Sequence, residues 1–427
     1  MFFDDVLILR NLFFVTPLFY SIGNAAEEIQ WACAYASSNN KKLVIVKPYK
    51  FTEILSYKIC NAPLFHVADN QSFTWSEASL IILVRFTINL IFLIKRSAAL
   101  FVKIILKKKI KESWNFPEFG KDMYWPLDFS NVRSGQISVQ IKKVCLNHIA
   151  LLPTIRAQET LTEIGLPVWQ KYVCLHVRDA GFHGDGERRP YRNADIENYQ
   201  ALIKELIAEG FYVVRMGDSN MKRLTILNHP EYIEYPFTNA KSEVVDLYLI
   251  KNCEFYVGMQ SGILDVAALF RKPILTVNMY DWFYQHPLKK IDRGLMKTFQ
   301  LKIENKKINL QVPDLYKLPF YYTNNRNIYT KNDIEFIENT PDELLNAIKE
   351  YVKDYKSNFT RLPTRLQQIY FEKYRQSSDE IISLESMEGE FSKLPSQHKS
   401  RIVHRNFASV GFMYGTVDER FPEVAVK

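Results

Sequence analysis

Residues 171–218 read KYVCLHVRDAGFHGDGERRPYRNADIENYQALIKELIAEGFYVVRMGD, and they decide the fold. The segment opens on a mostly apolar run, KYVCLHV (171–177), and closes on another, FYVVRMG (211–217). Between them, DIENYQALIKELIAEG (195–210) places Ile196, Tyr199, Ile203, Leu206 and Ile207 at helical spacing. Asn193 or Asp195 can cap the start of that helix, and Gly210 suits its end. Strand, helix, strand at this spacing is a βαβ unit. The first strand ends in His176, Arg178 and Asp179, and a loop crowded with charge follows.

The alternation continues downstream. SEVVDLYLIKNC (242–253) reads as a helix capped by Ser242, EFYVG (254–258) as a strand, ILDVAALFRK (263–272) as a helix and PILTVN (273–278) as a strand. Short alternating elements of this kind predict a parallel sheet with helices on both faces. Past Asn278 the pattern loosens until TPDELLNAIKEYVKDYK (340–356), a helix with Thr340 as cap and Pro341 in its first turn. RLPTRLQQIYFEKYRQ is a further candidate helix, and the tail after Ser377 is polar and irregular.

Upstream, LFFVTPL reads as a strand, a loop with Gly23 follows, and Ile29, Ala32, Cys33 and Ala36 mark a helix before the strand KLVIVKPY. This is the start of a second α/β layer, without a GxGxxG fingerprint. The apolar start MFFDDVLILRNLFFV carries Asp4 and Asp5 and lacks a basic leader, so it reads as a first strand region. The expected domains are therefore 1–165, 166–350 and a C-terminal tail of helices and irregular chain, 351–427. NFPEFGKDMYWPLDF (115–129) reads as an irregular connection.

Residues 78–111 form an apolar and basic insertion. The apolar run Leu80–Ile94 contains Arg85 and Asn89, and Lys95, Arg96, Lys103, Lys107, Lys108, Lys109 and Lys111 follow. It reads either as a helix or helical hairpin lying on an anionic membrane surface through 80–111, or as a pair of core helices with solvated lysines. Its apolar run, about 15 residues, falls short of the ~20 that span a bilayer.

Composition narrows the function classes. The 427 residues are 47% hydrophobic, 14% aromatic and 24% charged, which excludes a disordered chain. A net charge of +8 is too modest for this length to indicate nucleic acid, but suits an anionic substrate or surface. Five cysteines without a CxxC pair argue against a disulfide framework or a structural zinc, and for a reducing cytoplasm.

Ligands of an open parallel sheet bind beyond the carboxyl ends of its strands. Three strand ends are therefore candidates: His176, Arg178 and Asp179; Arg215, Gly217 and Asp218; and Gln260, Ser261 and Gly262 before a helix that carries Asp265. The Ser/Gly segment reads either as a phosphate cradle at a helix N-terminus or as a tight turn. Arg178, Arg192 and Arg215 can converge on this edge, with Asn193 beside them, to hold phosphate. Arg188 and Arg189 read better as solvated loop residues balanced by Asp179, Asp185, Glu187 and Asp195.

The run CLHVRDAGFHGD…RNADIENY…GFYVVRMGD, with YVGMQSGILDVAALFRKPILTVN, resembles a family of bacterial glycosyltransferases from surface-carbohydrate clusters. The resemblance spans roughly 10–350 in pattern and 172–280 in motifs. It implies a GT-B-like α/β fold, two Rossmann-like domains facing across a cleft, with the N-terminal domain on the acceptor side. It also implies sugar transfer from a nucleotide-sugar donor to a glycan or lipid-linked acceptor in capsule or lipopolysaccharide synthesis, with neither metal nor cofactor. The chain is more distantly similar to the GDP-fucose transferases, whose His-x-Arg arginine holds the donor diphosphate. His176 and Arg178 match those positions, whereas Asp179 stands where α1,6-fucosyltransferases carry a second arginine.

On this reading Arg178 and Arg215 stabilise the leaving diphosphate, and Asp179, His183 or Asp185 accepts the acceptor's proton. Glu197 and Glu205 have the seven-residue separation of retaining enzymes but sit on the wrong helix. A nucleotide-sugar epimerase of the same architecture and a non-catalytic glycan- or nucleotide-binding subunit are the competing readings. The expected location is cytoplasmic or peripheral on the inner face of the membrane.

Overall fold

The computed structural model describes residues 6–9, 11–17, 21–38, 40–46, 49, 59–66, 72–105, 154–181, 190–224, 228–280, 291–303, 306–309 and 333–358. The chain divides into two compact units between Leu151 and Leu152. The expected connection at 115–129, the helix from 361 and the tail lie outside the described residues.

The first unit holds β1 (Val6–Leu9), β2 (Leu12–Val15), α1 (Ile22–Ser38), β3 (Lys42–Ile45) and α2 (Trp75–Ile105). The expected single first strand is a hairpin: β1 pairs antiparallel with β2, and β2 pairs parallel with β3 across α1. Gly23 lies inside the first turn of α1 and not in a loop before it. Ile29, Ala32, Cys33 and Ala36 are buried, as their spacing requires.

Residues 75–105 form one continuous helix, which excludes the hairpin reading and the pair of helices alike. The physical reason is that no Gly or Pro interrupts the segment. A capping box starts it. Thr74 Oγ1 accepts from Glu77 N–H at 3.3 Å, and Glu77 Oε2 accepts from Thr74 N–H at 2.7 Å. Glu77 also binds Lys42 Nζ at 2.7 Å and Asn11 Nδ2 at 2.6 Å, tying α2 to the sheet. Ile81 and Val84 pack on Leu12, Phe14, Val44 and Val46. Farther along, Arg85 donates to Ile45 O at 3.2 Å, and Asn89 Oδ1 accepts from Tyr49 N–H at 2.8 Å. No helix among the described residues is long and apolar enough to cross a membrane. The longest charge-free stretch of α2, residues 86–94, is well under the ~20 residues required.

The second unit is a doubly wound α/β layer. After α3 (Thr154–Glu163) come β4 (Tyr172–His176), α4 (Gln200–Ala208), β5 (Tyr212–Arg215) and β6 (Tyr232–Glu234). Then follow α5 (Glu243–Asn252), β7 (Tyr256–Gly258), α6 (Gly262–Leu269), β8 (Ile274–Met279) and β9 (Arg293–Met296). The sheet runs β6-β5-β4-β7-β8-β9, and every pairing in it is parallel. Counted in chain order this is 3-2-1-4-5-6, the order of dinucleotide-binding sheets, with its switch point between β4 and β7.

Alternation along β4 sets the layers. Val173 and Leu175 join a core with Leu202, Ile203 and Leu206 of α4 and with Leu344, Ile348 and Tyr351. The last three belong to α7 (Pro341–Ser357), which Thr340 caps as expected, in a reciprocal capping box with Glu343. Tyr172 and Cys174 face the other way and donate to Leu249 O of α5 at 2.9 and 3.5 Å. The helix expected over 195–210 is split. Asp195 caps a 3-10 turn at Ile196–Tyr199, α4 continues from it, and Gly210 ends the chain reversal at φ 88°.

Beyond Met296 lies a second, antiparallel sheet ordered β11-β10-β12, of β10 (Thr298–Ile303), β11 (Lys306–Asn309) and β12 (Ile334–Ile337). A reciprocal pair locks it to the large sheet. Asn278 N–H donates to Asn339 Oδ1 at 2.6 Å and Asn339 N–H to Asn278 Oδ1 at 2.7 Å. Both asparagines are buried, and Asn278 takes the left-handed conformation, φ 50°, that asparagine tolerates.

Candidate functional site

The carboxyl ends of β4 and β7 meet at the switch point, where His176 pairs in register with Gly258. A Cβ at Gly258 would lie 2.8 Å from His176 O and from the Tyr256 ring, so only glycine fits this approach. Ser261 occupies the N-cap position of α6 but makes no capping bond. Its Oγ lies 3.1 Å from His176 Nδ1 instead. The first N–H groups of α6, at Gly262 and Ile263, are therefore left without that side-chain cap, beside the end of β4.

His176 is buried, and burial pushes its pKa down to about 3, with help from Arg215, Arg178 and Lys241. It is a neutral imidazole at physiological pH and serves as a hydrogen-bonding partner of Ser261. Positive charge at this edge comes from elsewhere. Arg178 is 7% exposed, and its guanidinium donates to the neutral amide oxygen of Asn193. Arg215 is turned inward to Glu234, with Nη1 2.7 Å from Oε1, and its buried Nε has no partner among the described residues. Glu234 is held in turn by Leu224 N–H at 2.9 Å and Tyr232 Oη at 3.2 Å. Arg192 lies over the Tyr280 ring at 5.4 Å.

The acids expected at the site organise its loops. Asp179 Oδ1 accepts from Gly181 N–H at 2.9 Å, and Oδ2 from Lys222 N–H at 2.7 Å. These bonds join the loop after β4 to the loop after β5. The two run so close that a Cβ at Gly181 would lie 2.2 Å from Asn220 O. Asp218 Oδ1 accepts from Asn220 N–H at 2.9 Å, closing a turn that begins at Gly217, whose φ is 147°. Gln260 Oε1 accepts from Tyr280 N–H at 2.9 Å, and Asp265 sits in the first turn of α6. His183, Asp185, Arg188 and Arg189 lie outside the described residues. Among the described residues no group of three His, Cys, Asp or Glu side chains is placed to hold a metal ion.

Three residues of this edge escape a reading of strand ends alone. Lys241, after β6, pairs with Asp246 and adds to the field at His176. Lys297, directly after β9, is 1% exposed and donates through Nζ to Asn193 O, the residue whose side chain receives Arg178. Burial pushes the Lys297 pKa down to about 8; Glu338 opposes that shift and Arg178 adds to it. Glu338 also accepts from Asp195 N–H at 3.0 Å and Asn198 Nδ2 at 3.2 Å. Arg178, Asn193, Lys297 and Glu338 thus form one connected group spanning β4, β9 and β12.

No family model and no curated protein matches the chain. Among solved structures it is similar to the dodecameric iron-containing heptosyltransferase TibC in complex with ADP-D-β-D-heptose. That match has a TM-score of 0.24 and 13% identity over 44% of this chain and 48% of that one. It is also similar to the dodecameric iron-containing glycosyltransferase TibC from enterotoxigenic E. coli H10407, at TM-score 0.23 and 12% identity over 45% and 46%. The chain thus spans about half the length of these structures, at a level of likeness that leaves function to be read from the site's own residues.

Proposed function

We propose that the chain is a glycosyltransferase that takes a sugar from a nucleoside-diphosphate donor to a glycan or lipid-linked acceptor of bacterial surface polysaccharide. One observation carries this reading. At the switch point of a 3-2-1-4-5-6 sheet, His176 at the end of β4 engages Ser261, the N-cap of α6, and Arg178 follows two residues later, its charge acting on the same histidine. Guanidinium, open N–H groups and a positive helix end together match a diphosphate.

The chemical demand of such a reaction is the negative charge that grows on the leaving diphosphate. Fixed donors in a buried setting lower that barrier without reorganising. Arg178 and the N–H groups of Gly262 and Ile263 supply the opposing positive charge, and Lys297 holds Asn193 and so the guanidinium in place. Arg215, already neutralised by Glu234, sets the field and the packing behind them. With both Asp179 oxygens engaged in loop contacts, His183 and Asp185 are the candidates for the proton acceptor. The GT-B-like arrangement, in which the first unit supplies the acceptor side and no metal is needed, belongs to the same proposal.

A thermal-shift panel of UDP, GDP, ADP, CDP, CMP and dTDP tests it. A nucleotide at about 100 times its Kd stabilises the folded chain by ~2.7 kcal/mol. The expected result is one diphosphate that raises the midpoint above the rest. A flat panel would sink the proposal. A nucleotide sugar converted to its epimer with no acceptor present would place the chain among the epimerases instead.

A further inference from the structure

Helix α2 is apolar on two opposite sides. Ile81 and Val84 pack on the sheet of the first unit, while Ile82, Leu83, Phe86, Leu90, Ile94 and Phe101 stay 43–68% exposed. Ile82, Phe86, Leu90 and Ile94 recur every four residues and Phe101 follows seven later, so with Leu83 beside them they form one row along the helix. None of the helix's charged residues falls in that row. Trp75, at its amino-terminal end, is 92% exposed. A row of this length on a soluble face is unusual and marks an interaction surface.

Charge says what the surface fits. Over residues 78–111 the sequence has eight basic residues and no acid. The whole chain has 55 Lys and Arg against 47 Asp and Glu, so the rest of it, 47 against 47, is neutral. All of the net charge therefore belongs to the segment that carries the apolar row. A second copy docking through this segment would bring a further eight like charges with it. An anionic lipid surface takes up the apolar row and neutralises the bases together.

We propose that α2 seats the protein on an anionic membrane, with the Ile82–Phe101 row in the interface, the Trp75 ring at headgroup level and the helix lying in the plane. The first unit covers the opposite side of the helix, as the polar face of an interfacial helix is covered by water. The inference needs no nucleotide, so its failure leaves the donor site untouched.

The full chain is sedimented with phosphatidylcholine vesicles made with and without phosphatidylserine. The expected result is binding that requires phosphatidylserine. Phe86→Ser/Leu90→Ser/Ile94→Ser, at exposed positions, weakens it at least about tenfold with an unchanged circular-dichroism spectrum. Lys95→Glu/Arg96→Glu/Lys103→Glu weakens it by a similar factor without touching the apolar row. Three results would overturn the proposal: no sedimentation of the wild-type chain with phosphatidylserine vesicles; wild-type binding retained by both variants; or a wild-type dimer that the serine variant turns monomeric while vesicle binding is unchanged.

Discussion

Replacing Lys297 by methionine should change the pH dependence of stability in a way that isolates this one group. Lys297 is 1% exposed, and its pKa is lowered from 10.5 to about 8, chiefly by burial. The folded chain therefore resists a proton that the unfolded chain keeps until pH 10.5. Below pH 8 the penalty is fully present; between 8 and 10.5 the unfolded state binds more protons, so stability rises with pH. At about 1.4 kcal/mol per pH unit the full penalty is ~3 kcal/mol, and ~2 kcal/mol of it is relieved between pH 7 and 9.5. Methionine keeps the volume and removes the charge, but forfeits the bond to Asn193 O, worth ~1 kcal/mol. The variant should then match or exceed wild-type stability at pH 7 and lose that advantage by pH 9.5. For a unit of this size ~2 kcal/mol is about 4 °C in midpoint. Thermal unfolding of both proteins at pH 7, 8, 9 and 9.5 reads the difference. Parallel curves would refute the reasoning, because they would mean that Lys297 is not desolvated in the folded state.

Two further substitutions probe the edge. Gly181→Ala puts a Cβ 2.2 Å from the backbone oxygen of Asn220 and should destabilise the chain by ~1–3 kcal/mol in chemical denaturation; an unchanged midpoint would show that the two loops do not meet. Glu234→Ala strands the buried Arg215 guanidinium and should cost about 3–5 kcal/mol. Glu234→Gln, which keeps an acceptor, should cost less, and equal losses would indicate that the ion pair is immaterial.

Much of the second unit was legible because its strands are short apolar runs and its helices carry caps. Ser242, Thr340 and Gly210 mark element ends through the same bonds and angles that their residue types predict. The strand ends placed His176 on the ligand-binding edge for the same reason, and the strand order then puts it at the switch point. What was missed lies past Asn278. RGLM is too short and mixed to announce a strand, yet it forms β9 as the sixth in the sheet. TFQLKI has the period-two pattern of β10, Phe299, Leu301 and Ile303 alternating with polar residues, and the signal was there to be read. With β9 unrecognised, Lys297 could not be seen as a strand-end charge. Nor does sequence reveal the fate of an arginine. Arg178 follows the end of β4 and Arg215 closes β5, but only the structure shows that Glu234, nineteen residues past Arg215, takes up its guanidinium. In the first unit, the apolar and basic character of 78–111 was plain, and the single helix follows from the lack of any breaker. Which side of α2 the sheet takes depends on tertiary packing.

The central claim is that a donor diphosphate sits against Arg178 at the end of β4. Calorimetric titration of the best nucleoside diphosphate into wild-type protein and Arg178→Ala tests it most directly. A charge-assisted bidentate contact is worth ~1.5–3 kcal/mol, so the variant should bind about tenfold to a hundredfold more weakly at an unchanged thermal midpoint of the free protein. Equal affinity in the two proteins would contradict the account.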